Sequence, residues 1–149
     1  MHLDFFYKGQ RDYVHGTSIY EKVINLLKEK GYTNITSLDF KFHNIIRNNL
    51  TYEIYSADNV KKEKRDFSMN FLFQNSKYYL FLNENDSFVK KRKDYLENKI
   101  VEKSNFNFHN KTVSLIPFGI FNNIENIVAL NKSLHETLYE LKNGKWFFT

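Results

Sequence analysis

The chain reads as a single α+β domain, residues 1–149, built on a mostly antiparallel curved sheet wrapped over a long helix, with a second helix near the C-terminus. Three observations predict this class. A helix with clear start and stop signals lies near the N-terminus, and four segments after it alternate apolar and polar residues with a period of two. Aromatic residues make up 17% of the chain, as 15 Phe, 10 Tyr and one Trp, which suits a sheet filled by large side chains. The length is that of one domain with an ordinary core.

The elements follow in order. Residues 2–7 (His-Leu-Asp-Phe-Phe-Tyr) read as a short first strand. Ser18 with Glu21 three residues later forms a capping box, and Gly31 after Lys28-Glu29-Lys30 is a C-terminal stop, so the first helix lies between them. Ile19, Tyr20, Val23, Ile24, Leu26 and Leu27 fill one arc of it, with Glu21, Asn25 and Lys28 opposite. The strands come next. Segment 35–43 turns Leu38, Phe40 and Phe42 inward, and 50–55 does the same with Leu50, Tyr52 and Ile54. Segment 67–74 presents Phe67, Met69, Phe71 and Phe73. After an Asn75-Ser76 turn, 78–82 presents Tyr78, Leu80 and Leu82. Residues Asp58 to Asp66 are polar and read as a loop.

Residues 86–103 fit either a helix or a strand. Val89, Leu96 and Ile100 align on one helical face, which favours a helix from about Ser87 to about Asn98. Residues 112–118 look like a strand closed by Pro117 and Gly119. The second long helix runs from near Asn123 to near Leu141, with Ile124, Ile127, Leu130, Leu134, Leu138 and Leu141 as its stripe and Asn143-Gly144 as its stop. Lys145 to Thr149 form a bulky final strand expected to tuck into the sheet.

Composition narrows the function classes. Cysteine is absent, which rules out disulfides and thiolate metal sites and fits a cytoplasmic protein. The first residues lack the apolar core of a signal peptide, and no apolar run is long enough for a membrane span. With 22 basic and 17 acidic side chains the formal charge is only +5, and the abundance of Lys, Asn, Ile, Phe and Tyr resembles an AT-rich coding bias. Nucleic acid is therefore not the expected partner. Its candidates would be Lys61-Lys62-Glu63-Lys64-Arg65 and Lys90-Lys91-Arg92-Lys93. Both are diluted by acids, and such a charge run usually reads as a solvated face. A non-enzymatic module for nucleic acid or an acidic protein remains the alternative function.

The densest polar cluster is Arg11-Asp12-Tyr13-Val14-His15-Gly16-Thr17-Ser18-Ile19-Tyr20-Glu21, a loop running straight into the first helix. Helix N-termini offer free N–H groups and partial positive charge, which suits holding a carbonyl or anionic oxygen. The order Asp12, His15-Gly16, Tyr20, Glu21 resembles the hot-dog fold of acyl-thioester enzymes. Many thioesterases of that family carry an aspartate, a Gly-His pair and then a tyrosine on the central helix. Here Gly and His are transposed, the Asp–Tyr spacing is shorter, and the His-Phe-Pro-Gly signature of the hot-dog dehydratases is absent. The resemblance spans about ten residues. It implies a thioesterase or dehydratase in which Asp12 activates water or attacks, His15 is its partner or a general base, and the Gly16 and Thr17 amides and Tyr20 contact the substrate. It also implies acyl-CoA or an acyl carrier protein as ligand, and a homodimer or partnered domain. The plain structural reading is that Asp12 pairs with Arg11 or caps a turn while His15 is solvated.

The second long helix holds one anomaly. On a helical wheel Asn131 falls inside the apolar stripe, between Ile127, Leu134 and Leu138, with His135 one turn later at its edge. Asn131 and His135 either line a pocket or tie the helix to neighbouring backbone, because a buried amide needs a hydrogen-bond partner. The five histidines are scattered without metal-ligand spacing, so neither a metal nor another cofactor is expected.

Overall fold

A computed structural model describes residues 2–60, 65–116, 119 and 121–139. They form two compact units, 2–94 and 95–139. The first contains β1 (His2–Leu3), β2 (Phe6–Lys8), α1 (Gly16–Glu29), β3 (Thr36–Phe42), β4 (Asn48–Ser56), β5 (Phe67–Phe73), β6 (Ser76–Phe88) and β7 (Lys91–Lys93). The second contains α2 (Asn98–Glu102), β8 (Ser104–Asn107), β9 (Thr112–Leu115) and α3 (Asn123–Tyr139). The class is α+β, with a mostly antiparallel sheet and a long C-terminal helix. Among the described residues no helix is long and apolar enough to cross a membrane.

The main sheet has five antiparallel strands in the order β1-β4-β6-β5-β3. Its period-two patterning works as expected. Leu50, Phe67, Met69, Phe71, Leu80 and Leu82 are buried on one face and share a core with Ile19, Val23, Leu26 and Leu27 of α1. Val23 and Leu27 are both 0% exposed, whereas Glu21, Lys22, Asn25 and Lys28 on the far arc lie in solvent. Leu38 departs from the pattern. A register shift lies between Thr36 and Asp39, and Ser37 takes a φ of 53°, so Leu38 ends up exposed while Phe40 and Phe42 keep to the core. The β5–β6 turn is Gln74-Asn75, one residue earlier than the sequence suggests. Both residues have positive φ, 49° and 62°, the geometry whose twist matches that of the flanking strands.

The expected first strand breaks in two. Phe5 turns into the core and its N–H donates to Asn49 Oδ1 at 2.8 Å, so the chain leaves β4 and pairs in parallel with β7. The start of α1 also differs. His15 is the N-cap with no side-chain capping bond, and the helix begins at Gly16. Ser18 therefore sits inside the first turn, where it is buried and the predicted box with Glu21 does not form. The C-terminal stop is as read: Gly31 has a φ of +85°, Tyr32 N–H donates to Leu27 O at 2.9 Å, and Gly31 N–H to Lys28 O at 3.0 Å. Tyr32 then packs edge-on against Phe71, Phe73 and Tyr78, and burial raises its pKa above the usual 10.0, with Tyr78 adding to the shift.

The helix expected over about Ser87 to Asn98 is not formed. β6 continues to Phe88, held by the Glu84 carboxylate, which accepts the N–H groups of Arg47 and Asn48. Residues 91–93 then pair with 6–8 instead of closing helical bonds. Val89 is buried in the first unit, Ile100 is buried in the second and Leu96 is exposed, so the three never share a helical face.

In the second unit β8 and β9 form a hairpin, and α2 packs against α3. A capping box does form at the start of α3. Asn122 Oδ1 accepts from Glu125 N–H at 2.9 Å, and Glu125 Oε2 accepts from Asn122 N–H at 3.1 Å. The predicted stripe of α3 is rotated. Ala129 and Glu125 are the buried positions, Ile127 is 60% exposed and Asn131 lies in solvent. Asn131 thus has no desolvation to offset, and the anomaly read from the helical wheel disappears. Leu141 and the final strand 145–149 lie outside the described residues, as do 117 and 118 at the end of the strand expected over 112–118.

Candidate functional site

The first turn of α1 gathers a polar cluster against the apolar core. β2 ends at Lys8, a left-handed Gly9 turns the chain, and residues 10–15 lead into the helix. Lys8 is only 5% exposed and its Nζ donates to Thr17 Oγ1 at 3.0 Å. His15 is 8% exposed, with Nδ1 within 2.7 Å of the same hydroxyl. The ammonium can only donate, whereas the hydroxyl can accept from it and either donate to or accept from the imidazole. Gly16 lies flush against the core: a Cβ there would meet the Phe42 ring at 3.3 Å. The N–H groups of Gly16 and Thr17 have no carbonyl within the helix to receive them.

His15, Gly16 and Thr17 are consecutive at the start of α1, and Lys8 is joined to them through the Thr17 hydroxyl. Tyr20 follows one turn on, half-buried against Phe40 with ring centroids 5.2 Å apart. Asp12 sits exposed in the approach loop. Asn131 and His135 belong to α3 in the other unit. There the His135 ring stacks on Tyr139 with centroids 5.6 Å apart.

Sequence reasoning missed Lys8, and it read Arg92 only as part of a basic cluster, not as a brace of the loop. A lysine ending a short strand gives no sign of burial, yet β2 carries it beneath α1. Arg92 Nη1 donates to Gly9 O at 2.5 Å and to Arg11 O at 2.7 Å, and its guanidinium lies 5.3 Å from the Tyr7 ring centroid. Gly9 N–H in turn donates to Lys93 O at 2.9 Å. β7 thus braces the loop that delivers Asp12 and His15 to the helix. Of the other basic cluster, 61–64 lie outside the described residues. Arg65 is buried, 3.6 Å from Glu53 and 4.8 Å from the Phe81 ring centroid, so it is not a solvated cation.

Among the described residues no group of three or more His, Cys, Asp or Glu is arranged to hold a metal ion. No protein-family model, curated protein or solved structure matches the chain.

Proposed function

We propose that the protein binds and processes acyl thioesters, as a hot-dog-type thioesterase or dehydratase acting on acyl groups carried by coenzyme A or an acyl carrier protein. The observation that carries this reading is the Lys8–Thr17–His15 chain at the N-terminal turn of the helix that lies on the sheet. A thioester carbonyl seated at that turn would accept from the Gly16 and Thr17 amides, with the helix dipole stabilising negative charge on its oxygen. Asp12, exposed in the loop, would be the acid that activates water or attacks, and His15 its partner or a general base. Tyr20 would border the acyl group. In this reading the sheet curls around α1, and a second copy or a partnered domain completes the site.

The test is turnover of acyl-CoA and acyl-carrier substrates. Asp12→Asn keeps the size and most hydrogen bonds of the side chain but removes the base, so the rate should fall about 100-fold or more while the melting temperature stays put. His15→Ala should slow turnover less. Full activity in Asp12→Asn would end this assignment.

A second reading has one observation in its favour. Lys90, Lys91, Arg92 and Lys93 are all exposed, as a basic docking module for nucleic acid or an acidic protein would need.

A further inference from the structure

We infer that residues 43–47, the link between β3 and β4, form an acid-released strap: the carboxylates of Asp66 and Glu84 hold it down, and it fixes the approach to the first turn of α1. The strap stands whether or not the thioester reading holds.

The link lies outside every helix and strand, so no ladder satisfies its backbone. Acidic residues do so instead. At its start the His43 N–H donates to Asp66 O at 2.8 Å, and Asn44 Nδ2 donates to Asp66 Oδ1 at 2.7 Å. The other carboxylate oxygen of Asp66 accepts the Glu84 N–H at 2.8 Å, which ties this anchor to β6. At the far end Glu84 Oε1 accepts two N–H groups together, from Arg47 and, at 2.6 Å, from Asn48. Between the anchors Ile46 belongs to the core of the first unit and is 2% exposed. Its carbonyl accepts the Val14 N–H at 2.8 Å, and the Arg47 carbonyl accepts the Tyr7 hydroxyl at 2.7 Å. Val14 is itself buried and precedes His15, the N-cap of α1. Glu84 therefore secures the end of the strap that holds residues 7 and 14.

Ionisation decides how firmly the anchors hold. The charged groups around them are His43 and Arg47 of the strap, Lys41 of β3, Arg65, Asp86 of β6 and His2 of β1. Lys41 pairs with Asp39, Arg65 with Glu53 and His2 with Asp4, while His43 Nε2 bonds to Ser68 Oγ. Among the described residues no cationic side chain is bonded to Asp66 or Glu84, whose carboxylates are held by N–H groups alone. Such charge-assisted bonds are roughly twice as strong as neutral ones, so protonating Glu84 weakens both of its bonds at once. The hold is complete while the carboxylates are ionised and is lost as they take up protons. Releasing the 46–48 end frees Val14 and loosens the loop into His15, while α1 and the sheet keep their own hydrogen bonds.

The experiment is amide hydrogen exchange of the full chain, followed by NMR at about pH 7 and about pH 4 and corrected for intrinsic rates. Val14, Arg47 and Asn48 should open about tenfold more readily or better at the lower pH, while Val23, Leu27 and Leu80 keep their protection. Glu84→Gln, which offers only a neutral acceptor, should reproduce that opening at about pH 7. Asp86→Asn, exposed two residues further along β6, should not. Unchanged protection of Val14, Arg47 and Asn48 in acid would overturn the proposal. So would a loss at Val23, Leu27 and Leu80 in step with them, which is acid unfolding of the whole unit. An acid opening that Glu84→Gln fails to reproduce, or that Asp86→Asn reproduces, would overturn it as well. If Glu84→Gln does not fold, the parent chain at the two pH values decides by itself.

Discussion

Thr17 carries more than its size suggests, because its hydroxyl is shared by a buried ammonium and a buried imidazole. Thr17→Val keeps the shape and removes that shared partner. It should destabilise the protein by about 1–3 kcal/mol, read as a lower denaturation midpoint at unchanged m-value. Ser18 next to it should behave in the opposite way. Its Oγ is buried without a hydrogen-bond partner among the described residues, so Ser18→Ala should be neutral or slightly stabilising in the same assay. Tyr32 sets an alkaline limit. Burial raises its pKa in the folded state, so above pH 10.0 the unfolded chain loses the phenolic proton first. That group's contribution to stability is complete below pH 10.0 and is lost as pH rises through the folded value. Tyr32→Phe should flatten the fall of melting temperature at high pH, and a fall unchanged in the variant would show that other groups cause it.

At the scale of elements, two helix ends invite direct comparison. Gly31 closes α1 in a left-handed conformation that a side chain strains, so Gly31→Ala should cost about 1–2 kcal/mol. Asn122 caps α3 in a reciprocal pair with Glu125, and Asn122→Ala should cost about 1 kcal/mol. Both are read by chemical denaturation. Losing the Ser–Glu box of α1 while finding an Asn–Glu box at α3 has a local cause. In α1 the helix starts two residues before Ser18, with Gly16 packed next to the Phe42 ring and the Thr17 hydroxyl bonded to Lys8 and His15. The start of a helix depends on what packs against its first turn as well as on the capping residue.

Taken whole, the first unit stands on one core shared by α1 and the sheet, which makes Val23 its most sensitive type of position. Val23→Asp buries a charge with no partner and should cost several kcal/mol, enough to abolish the native circular-dichroism melt. Ile127→Asp on the exposed side of α3 should stay within about 0.5 kcal/mol. A large effect at Ile127 would mean that something covers that face.

The α+β class, the β3–β6 alternation, the amphipathic α1 and its Gly31 stop were legible in the residues, because each rests on a periodicity or a backbone preference acting over a few positions. The grouping of His15, Gly16 and Thr17 was legible for the same reason: they are adjacent at a helix start. Lys8 and Arg92 were not legible. Their roles come from pairing residues 6–8 with 91–93, more than eighty positions apart, which no local pattern encodes. The same pairing took residues 91–93 of the ambiguous 86–103 segment away from helix by engaging their backbone, while 98–102 formed α2. For α3 the wheel placed Asn131 on the buried side because apolar residues occur nearly all round that helix. Which arc is covered was set by the neighbours that pack against Glu125 and Ala129, since burial belongs to surfaces in contact and not to the residues alone.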